Sequence, residues 1–442
     1  MRAETQRSQL LPVIRMPEFL LFAVSQAVSL FGDKLDYMAL LAMIGARFLQ
    51  MPDGAEQSAA QAISFLSVVV ALPTILFGPL AGILVDRWNR RRVMVVCDSG
   101  RALLVLLIPL LALATRSLPL VYAVAFGVFL LGLFFNTARV SIIPNLVGTD
   151  KVLGANSLMN LIGRVATLLG VFFGGLIVDW QGWSRLRITS PGREWTAGFY
   201  IDALTYLISV VALVVIFRRL ADSWQRPQTR LTVGDEARLF IDGQSRMLRE
   251  VRELWQMVSR DPTVFFVNSA VCLMVLLGAA VFVLYIPIIQ SHMGTKGVGY
   301  VGGIGSAGLV VSSLFFGALG HRTRKHRVML VSFMVLGMVA MALATLKGFA
   351  LMAPLCFLAG LALSPINIGM DTLLHEVVPE SVRGRIFSTR DWLLHLFFAV
   401  SALVIGQLTH FFDVYHLLFA IGGLVVLVSI AGLIITSRFD IP

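Results

Sequence analysis

Long runs of apolar residues, separated by short polar segments, are the main pattern of this chain. Most of the runs have about 20 residues or more, the length that crosses the hydrocarbon core of a membrane. A soluble helix of this length is normally apolar along one face only. The pattern predicts an all-α membrane protein with twelve spans, at about 18–49, 60–85, 93–114, 119–142, 154–178, 197–217, 263–291, 298–320, 327–345, 350–374, 386–411 and 415–436.

Composition and the placement of charge support a membrane protein. The chain is 57% hydrophobic and 14% charged, whereas soluble domains carry about 25% charged residues. Its net charge of +11 comes from arginines and lysines concentrated in alternate loops, which is typical of the cytoplasmic side. We therefore expect both termini in the cytoplasm and membrane lipids around the spans. Nucleic acid is not an expected partner because no folded basic domain exists to bind it.

Two landmarks repeat after 235 positions. Pro144 and Pro379 are one pair, and Gly82, Arg87, Arg90 and Arg92 are followed at this offset by Gly317, Arg322, Lys325 and Arg327. A duplicated charged hairpin between apolar segments indicates an internal structural repeat. The sequence therefore predicts two pseudo-symmetric six-helix bundles at 1–217 and 263–442.

Residues 218–262 form the single long polar segment, which we expect to be a cytoplasmic linker. Apolar residues at helical spacing alternate there with arginines, so an amphipathic helix on the inner membrane surface is predicted. A regulatory or docking segment is the alternative.

Ionisable residues inside the predicted spans are the candidate functional groups, because each costs several kcal/mol to insert. Asp33 and Asp36 are three residues apart in span one, so they share a helix face. We expect them to look into a central cavity and to bind protons or substrate. A neutral pair with Lys34 and a structural bond to a neighbouring helix are the alternatives. Arg164 in span five would pair with one of these aspartates or bind an anionic group of the substrate.

The second half offers weaker candidates. Asn268 follows Asp33 at the 235-residue offset and keeps hydrogen bonding without titrating. His395 in span eleven titrates near neutral pH in water. Structural hydrogen bonds are the alternative for both. We expect a local ion pair between Asp98 and Arg101, and a capping role for Asp202 in the opening turn of span six.

The remaining polar residues point away from metal and cofactor chemistry. Cys97, Cys272 and Cys356 have no ligand spacing, and Asp371, His375 and Glu376 are explained by solvation at a helix end. The chain also lacks a phosphate-binding Gly-x4-Gly-Lys-Ser/Thr run. We expect no metal, no cofactor and no enzymatic activity.

The run from Gly82 to Arg92 resembles the signature loop of the major facilitator superfamily, Gly-x3-Asp-Arg-x-Gly-x-Arg-Arg. Asn89 replaces the second glycine, and we expect it to tolerate a left-handed turn there. The resemblance implies the major facilitator fold and a conformational latch in which the loop binds span-four groups and the start of span eleven. The latch would consist of Gly82, Asp86, Arg87, Arg90, Arg91, Arg92 and Asp391, although Asp391 is equally explained by the positive end of its helix.

Other motifs resemble the drug:proton antiporter branch that includes macrolide efflux pumps and the enterobactin exporter. They are Phe31-Gly32-Asp33, Cys97-Asp98-Ser99-Gly100-Arg101, Pro144-Asn145-Leu146-Val147, Phe199-Tyr200-Ile201-Asp202 and Arg383-Gly384-Arg385.

This resemblance implies a monomeric, proton-coupled exporter of amphipathic or hydrophobic small molecules in a bacterial inner membrane, working by alternating access. A lysophospholipid or lipid flippase and a siderophore exporter are the alternatives within transport. A transport-inactive membrane receptor or scaffold is the alternative from another class.

Overall fold

Twelve long helices account for most of the chain in the computed structural model. It describes residues 12–49, 54–220, 261–319, 324–345, 348–378 and 380–438, together with 249, 251–253, 255, 256 and 259. No strand occurs in these ranges. The helices are α1 Pro17–Phe48, α2 Ala55–Arg87, α3 Arg90–Ala114, α4 Leu118–Val147, α5 Val152–Val178, α6 Thr196–Arg219, α7 Pro262–Ala280, α8 Ile286–Leu319, α9 Lys325–Thr345, α10 Phe349–Val377, α11 Glu380–Leu408 and α12 Val414–Arg438.

Helices α7 and α8 are joined without a loop, by a π-helical turn at Val281–Tyr285. The break between the seventh and eighth spans comes later, at Gly294 inside α8, where φ is 70° and ψ is −172°. A positive φ of this kind strains any residue with a Cβ atom, so glycine allows the chain to turn back here. The break falls in the gap predicted between the spans at 263–291 and 298–320.

The prediction of twelve spans is confirmed. Ten stretches of the described residues are long and apolar enough to cross a membrane, and one of them, Pro262–Phe315, is 54 residues long and contains the break at Gly294. Helix α1 is not among the ten, but it has 32 residues, which is ample length for a span. Its charged residues are the ones that the sequence singled out as functional candidates.

The chain divides into two compact units, residues 1–43 with 72–246, and residues 44–71 with 247–442. In the first unit, the ends of the helices next to the 82–92 loop share an apolar core. Its buried members include Phe19 and Phe22 from α1, Met94 from α3, Ile142 from α4 and Phe217 from α6. This end of the first unit is called the basic end below, because the arginines of the 82–92 loop lie there.

The second unit includes the end of α1 and the first half of α2. There the Glu56 carboxylate accepts hydrogen bonds from Ser291 Oγ (2.5 Å) and from the hydroxyl of Tyr415 (3.3 Å). Helices α8 and α10 approach so closely that a Cβ atom on Gly360 would overlap the carbonyl oxygen of Gly305. Such contacts between small residues are the usual way in which membrane helices pack.

The domain boundaries 1–217, 218–262 and 263–442 remain a prediction. Most of the predicted linker, including 221–248, lies outside the described residues.

Candidate functional site

Arg101 is the centre of a charged cluster inside the first unit. It lies on α3 and is 4% exposed. Its Nη2 atom forms an ion pair with Asp33 of α1 and donates a hydrogen bond to the hydroxyl of Tyr206 on α6 (2.6 Å). Its Nη1 atom donates to Asp98, one turn earlier on α3 (3.2 Å). One guanidinium therefore joins three helices, and the expected local pair with Asp98 is confirmed.

Tyr206 completes the contact between α1 and α6. Its hydroxyl donates to Asp33 Oδ1 (2.8 Å), so Asp33 accepts from both Arg101 and Tyr206. The Arg101 guanidinium also lies 4.1 Å from the centre of the Tyr206 ring and 5.8 Å from that of Phe135 on α4. Aromatic faces attract a cation most strongly where water is excluded. The rings therefore hold the guanidinium in the bundle together with the carboxylates.

Two further carboxyl groups are buried beside this cluster. Asp36 on α1 is 1% exposed and Asp202 on α6 is 0% exposed. Asp202 Oδ1 accepts a hydrogen bond from Thr205 Oγ1 (3.1 Å), whereas Asp202 Oδ2 and Asp36 Oδ1 have no hydrogen-bond partner among the described residues. Asp36 and Asp202 are close enough for their charges to interact. A glycine at position 32 allows this approach, since a Cβ atom there would overlap Asp202 and Thr205.

Arg139 on α4 is the second cation near the cluster. It is half-buried and close enough to Asp33, Arg101 and Asp98 for electrostatic interaction. The cluster thus contains four carboxyl groups and two guanidinium groups within apolar helices. Ionisable groups are costly inside a membrane bundle, so this excess of carboxyl groups marks the cluster as a candidate functional site.

Asp33 and Asp36 lie on one face of α1, as predicted, but their neighbours differ from the expected ones. Asp36 is enclosed by the bundle, so the expectation that it looks into a cavity is wrong; packing of α1 against its neighbours within the first unit covers it. Lys34 forms no ion pair with either aspartate in the described residues. Arg164 is exposed on α5 and pairs with neither aspartate, because Arg101 already occupies Asp33.

The candidates of the second half are not brought into a charged cluster. Asn268 Nδ2 donates to the carbonyl oxygen of Val264 on its own helix (2.8 Å). His395 is exposed, and its Nδ1 donates to the carbonyl oxygen of Asp391 (2.8 Å). Helix α11 begins at Glu380, so Asp391 lies three turns inside it. A stabilising effect of the helix terminus on Asp391 is therefore excluded, because this effect fades within the first turn.

The 82–92 loop makes part of the contacts that the resemblance implies. Arg90 bonds to Asp86 (3.0 Å) and donates to the carbonyl oxygen of Ser141 on the fourth span (2.8 Å). Arg91 donates to the carbonyl oxygens of Phe217 and Leu220 at the end of α6 (3.2 and 3.1 Å). The loop thus holds the ends of α4 and α6.

Three other residues of the proposed latch, Gly82, Arg87 and Arg92, have different surroundings. Arg87 and Arg92 are exposed, and a Cβ atom on Gly82 would meet no other atom within 4 Å. The expectation for Asn89 is wrong. Its φ of −72° is extended rather than left-handed, and its side chain caps α3 by accepting from the backbone N–H groups of Arg91 and Arg92.

Sequence reasoning missed Tyr206 and Arg139, and gave Asp202 a minor role. Helix α6 begins at Thr196, so Asp202 lies two turns inside it and does not cap the helix. The available signal was an acid at the sixth residue of the span predicted at 197–217, followed by a tyrosine four residues later. Arg139, eight residues from the end of α4, was an equally visible intramembrane charge. Among the described residues, no group of three or more His, Cys, Asp or Glu side chains is arranged so that it could hold a metal ion.

Comparison with known proteins identifies the family. The sequence model of the Major Facilitator Superfamily matches residues 20–390 and 295–441. An uncharacterised MFS-type transporter of Mycobacterium tuberculosis is 25% identical over 413 residues, which cover 89% of this chain and 85% of the relative. The multidrug efflux pump Tap of Mycobacterium bovis is also 25% identical, covering 89% of this chain and 87% of Tap.

A lysophospholipid transporter, LplT of Photorhabdus laumondii, is 29% identical over 41% of this chain and 42% of its own length. Among solved structures, the nucleoside transporter NupG superposes with a TM-score of 0.68 at 13% identity, covering 93% of this chain and 99% of NupG. At this identity the likeness extends to the fold alone. The family match, the twelve helices and the repeated basic loop agree, and the chain belongs to the major facilitator superfamily of membrane transporters.

Proposed function

We propose that this transporter is a proton-coupled exporter of amphipathic or hydrophobic small molecules in a bacterial inner membrane, with both termini in the cytoplasm. The observation that carries the proposal is the buried cluster around Arg101. Asp33, Asp36, Asp98 and Asp202 come from three helices and meet inside the first unit, where their charge exceeds that of Arg101 and Arg139.

The excess of acids provides the proton sites. Asp33 and Asp98 are bonded to Arg101, whereas Asp36 and Asp202 form no ion pair in the described part of the chain. One oxygen of each also lacks a hydrogen-bond partner there, as does Asp98 Oδ2. Burying an unpaired carboxylate is costly, and a bound proton removes that cost. Asp36 and Asp202 are therefore the proposed proton carriers.

Coupling would operate through Arg101. Its guanidinium holds α1 and α6 together through Asp33 and Tyr206. Transfer of the proton from Asp36 or Asp202 to Asp33 would cancel this ion pair, and Arg101 would then be drawn to the carboxylate that has lost the proton. Protonation thus favours one helix arrangement over another, which is what a driving ion must do in alternating access.

The substrate class rests on the relatives and on Arg164. Tap is named as a multidrug efflux pump, and it aligns with most of this chain. Arg164 is exposed on α5 and has no ion pair among the described residues, so it remains available for an anionic group of an amphipathic substrate. Asn268 and His395 are proposed as substrate contacts from the second unit.

Lysophospholipid transport is the second candidate. Several relatives bear this name, although they align with only 41% to 58% of this chain. A lysophospholipid combines an apolar chain with a phosphate, which Arg164 would bind. Transport without proton movement would distinguish such a flippase from the proposed exporter.

The test is a substrate-induced pH change in proteoliposomes that contain a pH-sensitive dye, with lipophilic drugs that carry an anionic group and lysophospholipids added in turn. We expect one class to move protons with the wild-type protein. Asp36→Asn should abolish the signal, while Asp150→Asn, at an exposed carboxylate, should leave it unchanged. A full signal from Asp36→Asn would contradict the proposed proton site, and no signal from the wild-type protein with any substrate would contradict proton coupling.

A further inference from the structure

Helix α5 has two exposed sides of opposite character. The apolar side consists of large residues four positions apart, namely Leu161, Val165, Leu169 and Phe173. The polar side consists of Asn160, Arg164 and Thr167, which are also exposed. Steps of four and three keep these three side chains together on the helix surface. The apolar side is suited to lipid, and the polar side needs another explanation.

The polar side of α5 lies too deep in the membrane to be explained by the solvent at a helix end. Arg164 is twelve residues beyond Val152, where α5 begins, which places it about 18 Å along the helix. A charged residue at this depth faces protein or a water-filled space rather than lipid. Asn160, Arg164 and Thr167 are exposed and form no hydrogen bond or ion pair with the described residues. They therefore line a space that water reaches, and the fold itself does not use them.

Close packing against α1 fixes the orientation of this polar side. A Cβ atom on Gly170 would lie 2.6 Å from the Cβ atom of Lys34, and one on Gly174 would lie 3.1 Å from Met38 Cγ. Gly170 follows Thr167 by three residues, so the packed strip of α5 lies beside the polar side. Lys34 crosses this strip and forms no ion pair with the described residues. The first unit thus presents two cations, without bonded acids, next to two neutral polar side chains.

The spacing of these groups favours a phosphate over a carboxylate. The polar side extends over about 10 Å from Asn160 to Thr167, seven residues later. A guanidinium such as that of Arg164 binds two oxygens of either anion. A carboxylate has no further oxygens for the neighbouring side chains, whereas a glycerophosphate headgroup carries ester oxygens and hydroxyl groups on either side of its charge. An amide and a hydroxyl group can bind both kinds of oxygen.

We propose that Asn160, Arg164 and Thr167, together with Lys34, bind the phosphate headgroup of an amphiphilic substrate with one acyl chain. The inference rests on the proposed function, since it names the substrate class of that transporter. Arg164 holds the phosphate, and Lys34 adds a second positive charge. Asn160 and Thr167 bind the oxygens next to the phosphate.

The experiment measures equilibrium binding by titration calorimetry, on the full chain in lipid nanodiscs and after subtraction of empty nanodiscs. The probes are a lysophosphatidylglycerol and a monoacylglycerol with the same short acyl chain, of which the second lacks the phosphate. The wild-type protein should bind the first at least about tenfold more tightly. Arg164→Gln should weaken binding of the first probe by about tenfold, the factor for a hydrogen bond to a charged group, and leave the second unchanged. Thr167→Val should weaken binding of the first by about fivefold.

Two control variants test whether the effect belongs to the polar side. Val165→Ala changes the apolar side of the same helix, and Arg185→Gln removes an exposed arginine from the loop after α5. Both should bind like the wild-type protein. Arg164→Lys keeps the charge but loses the fork of two donors, so it should recover part of the affinity. The unfolding temperature of each variant shows that it is folded.

Three outcomes would overturn the inference: equal affinity of the wild-type protein for the two probes, wild-type affinity in Arg164→Gln, or an equal loss in Arg185→Gln. Failure of the proposed function is seen separately, as an absence of proton movement in the vesicle assay. A preference for phosphate that depends on Arg164 would support the inference even if no substrate moved protons.

Discussion

The two units repeat one loop contact but differ in their cores. Arg90 bonds to the carbonyl oxygen of Ser141 in the first unit, and 235 residues later Lys325 forms an ion pair with Glu376 in the second. The charged cluster is not repeated at this offset. The residues 235 positions after Asp33, Asp36, Asp98 and Arg101 are, in that order, Asn268, Val271, Phe333 and Leu336.

This difference separates a contact that both units use for packing from a charged cluster that packing does not need. The contact at the basic loop joins helix ends, which both units need. The charged cluster is absent from the second unit, where no aspartate or glutamate among the described residues is fully buried. A six-helix bundle of this kind therefore packs without internal carboxyl groups, and their presence in the first unit points to a function beyond stability.

Removing the central cation of the first unit should give the largest effect. Arg101→Leu imitates the second unit but leaves Asp33 and Asp98 buried without a counter-ion, so the free energy of unfolding should fall by about 3–5 kcal/mol. Chemical unfolding in detergent measures it. Leu336→Met, at the corresponding position, should cost less than about 1.5 kcal/mol. Equal losses in the two variants would mean that the two cores are not as different as the structure indicates.

Transferring an acid to the second unit should give the next largest effect. Val271 is buried at the position equivalent to Asp36, and Val271→Asp should destabilise the protein by roughly 2.5–3.5 kcal/mol, the cost of an aspartate in the centre of a membrane helix. Val271→Leu is the control for a change of shape alone. If Val271→Asp unfolds like the wild-type protein, the second unit tolerates buried acids as well as the first.

The reverse exchange, from an acid to valine in the first unit, separates an effect on stability from an effect on transport. Asp36→Val removes a carboxyl group with an unpartnered oxygen, so the free energy of unfolding should stay equal or rise by about 1–3 kcal/mol. Substrate-induced proton movement in vesicles should nevertheless be lost. Marked destabilisation together with retained proton movement would make Asp36 a structural residue.

The shared loop contact should give the smallest effects. Arg90→Ala should lower the free energy of unfolding by about 1 kcal/mol, because it removes hydrogen bonds from a charged donor to a carbonyl oxygen and to Asp86. Lys325→Ala should cost at most about 1 kcal/mol, since its partner Glu376 is half exposed. Thermal unfolding of the two variants side by side checks the order, and a larger loss from Lys325→Ala would reverse it.

Part of the candidate site was visible in the sequence. Asp33 and Asp36 stood out because a charge within an apolar span is rare, and the pair Asp98–Arg101 followed from helical spacing. The bond between Arg101 and Asp33 was not visible, since these residues are 68 positions apart and belong to different spans. The sequence therefore predicted that Arg164 pairs with Asp33 or Asp36, whereas Arg101 occupies Asp33 in the structure.

The amino-acid sequence was enough to predict the twelve spans, the internal repeat and the charged residues within the spans. These follow from local properties, namely the length of apolar runs, the positions of arginines and the 235-residue offset. Which of these charged residues contact each other became visible in the folded structure alone. It placed Asp202 and Tyr206 beside α1, enclosed Asp36 and left Asn268 bonded to its own helix. The reason is that packing between segments distant in sequence sets the rotation of each helix and the helices that lie beside it. The close approach of α1 and α6 at Gly32 is an example, and no local sequence pattern predicts it.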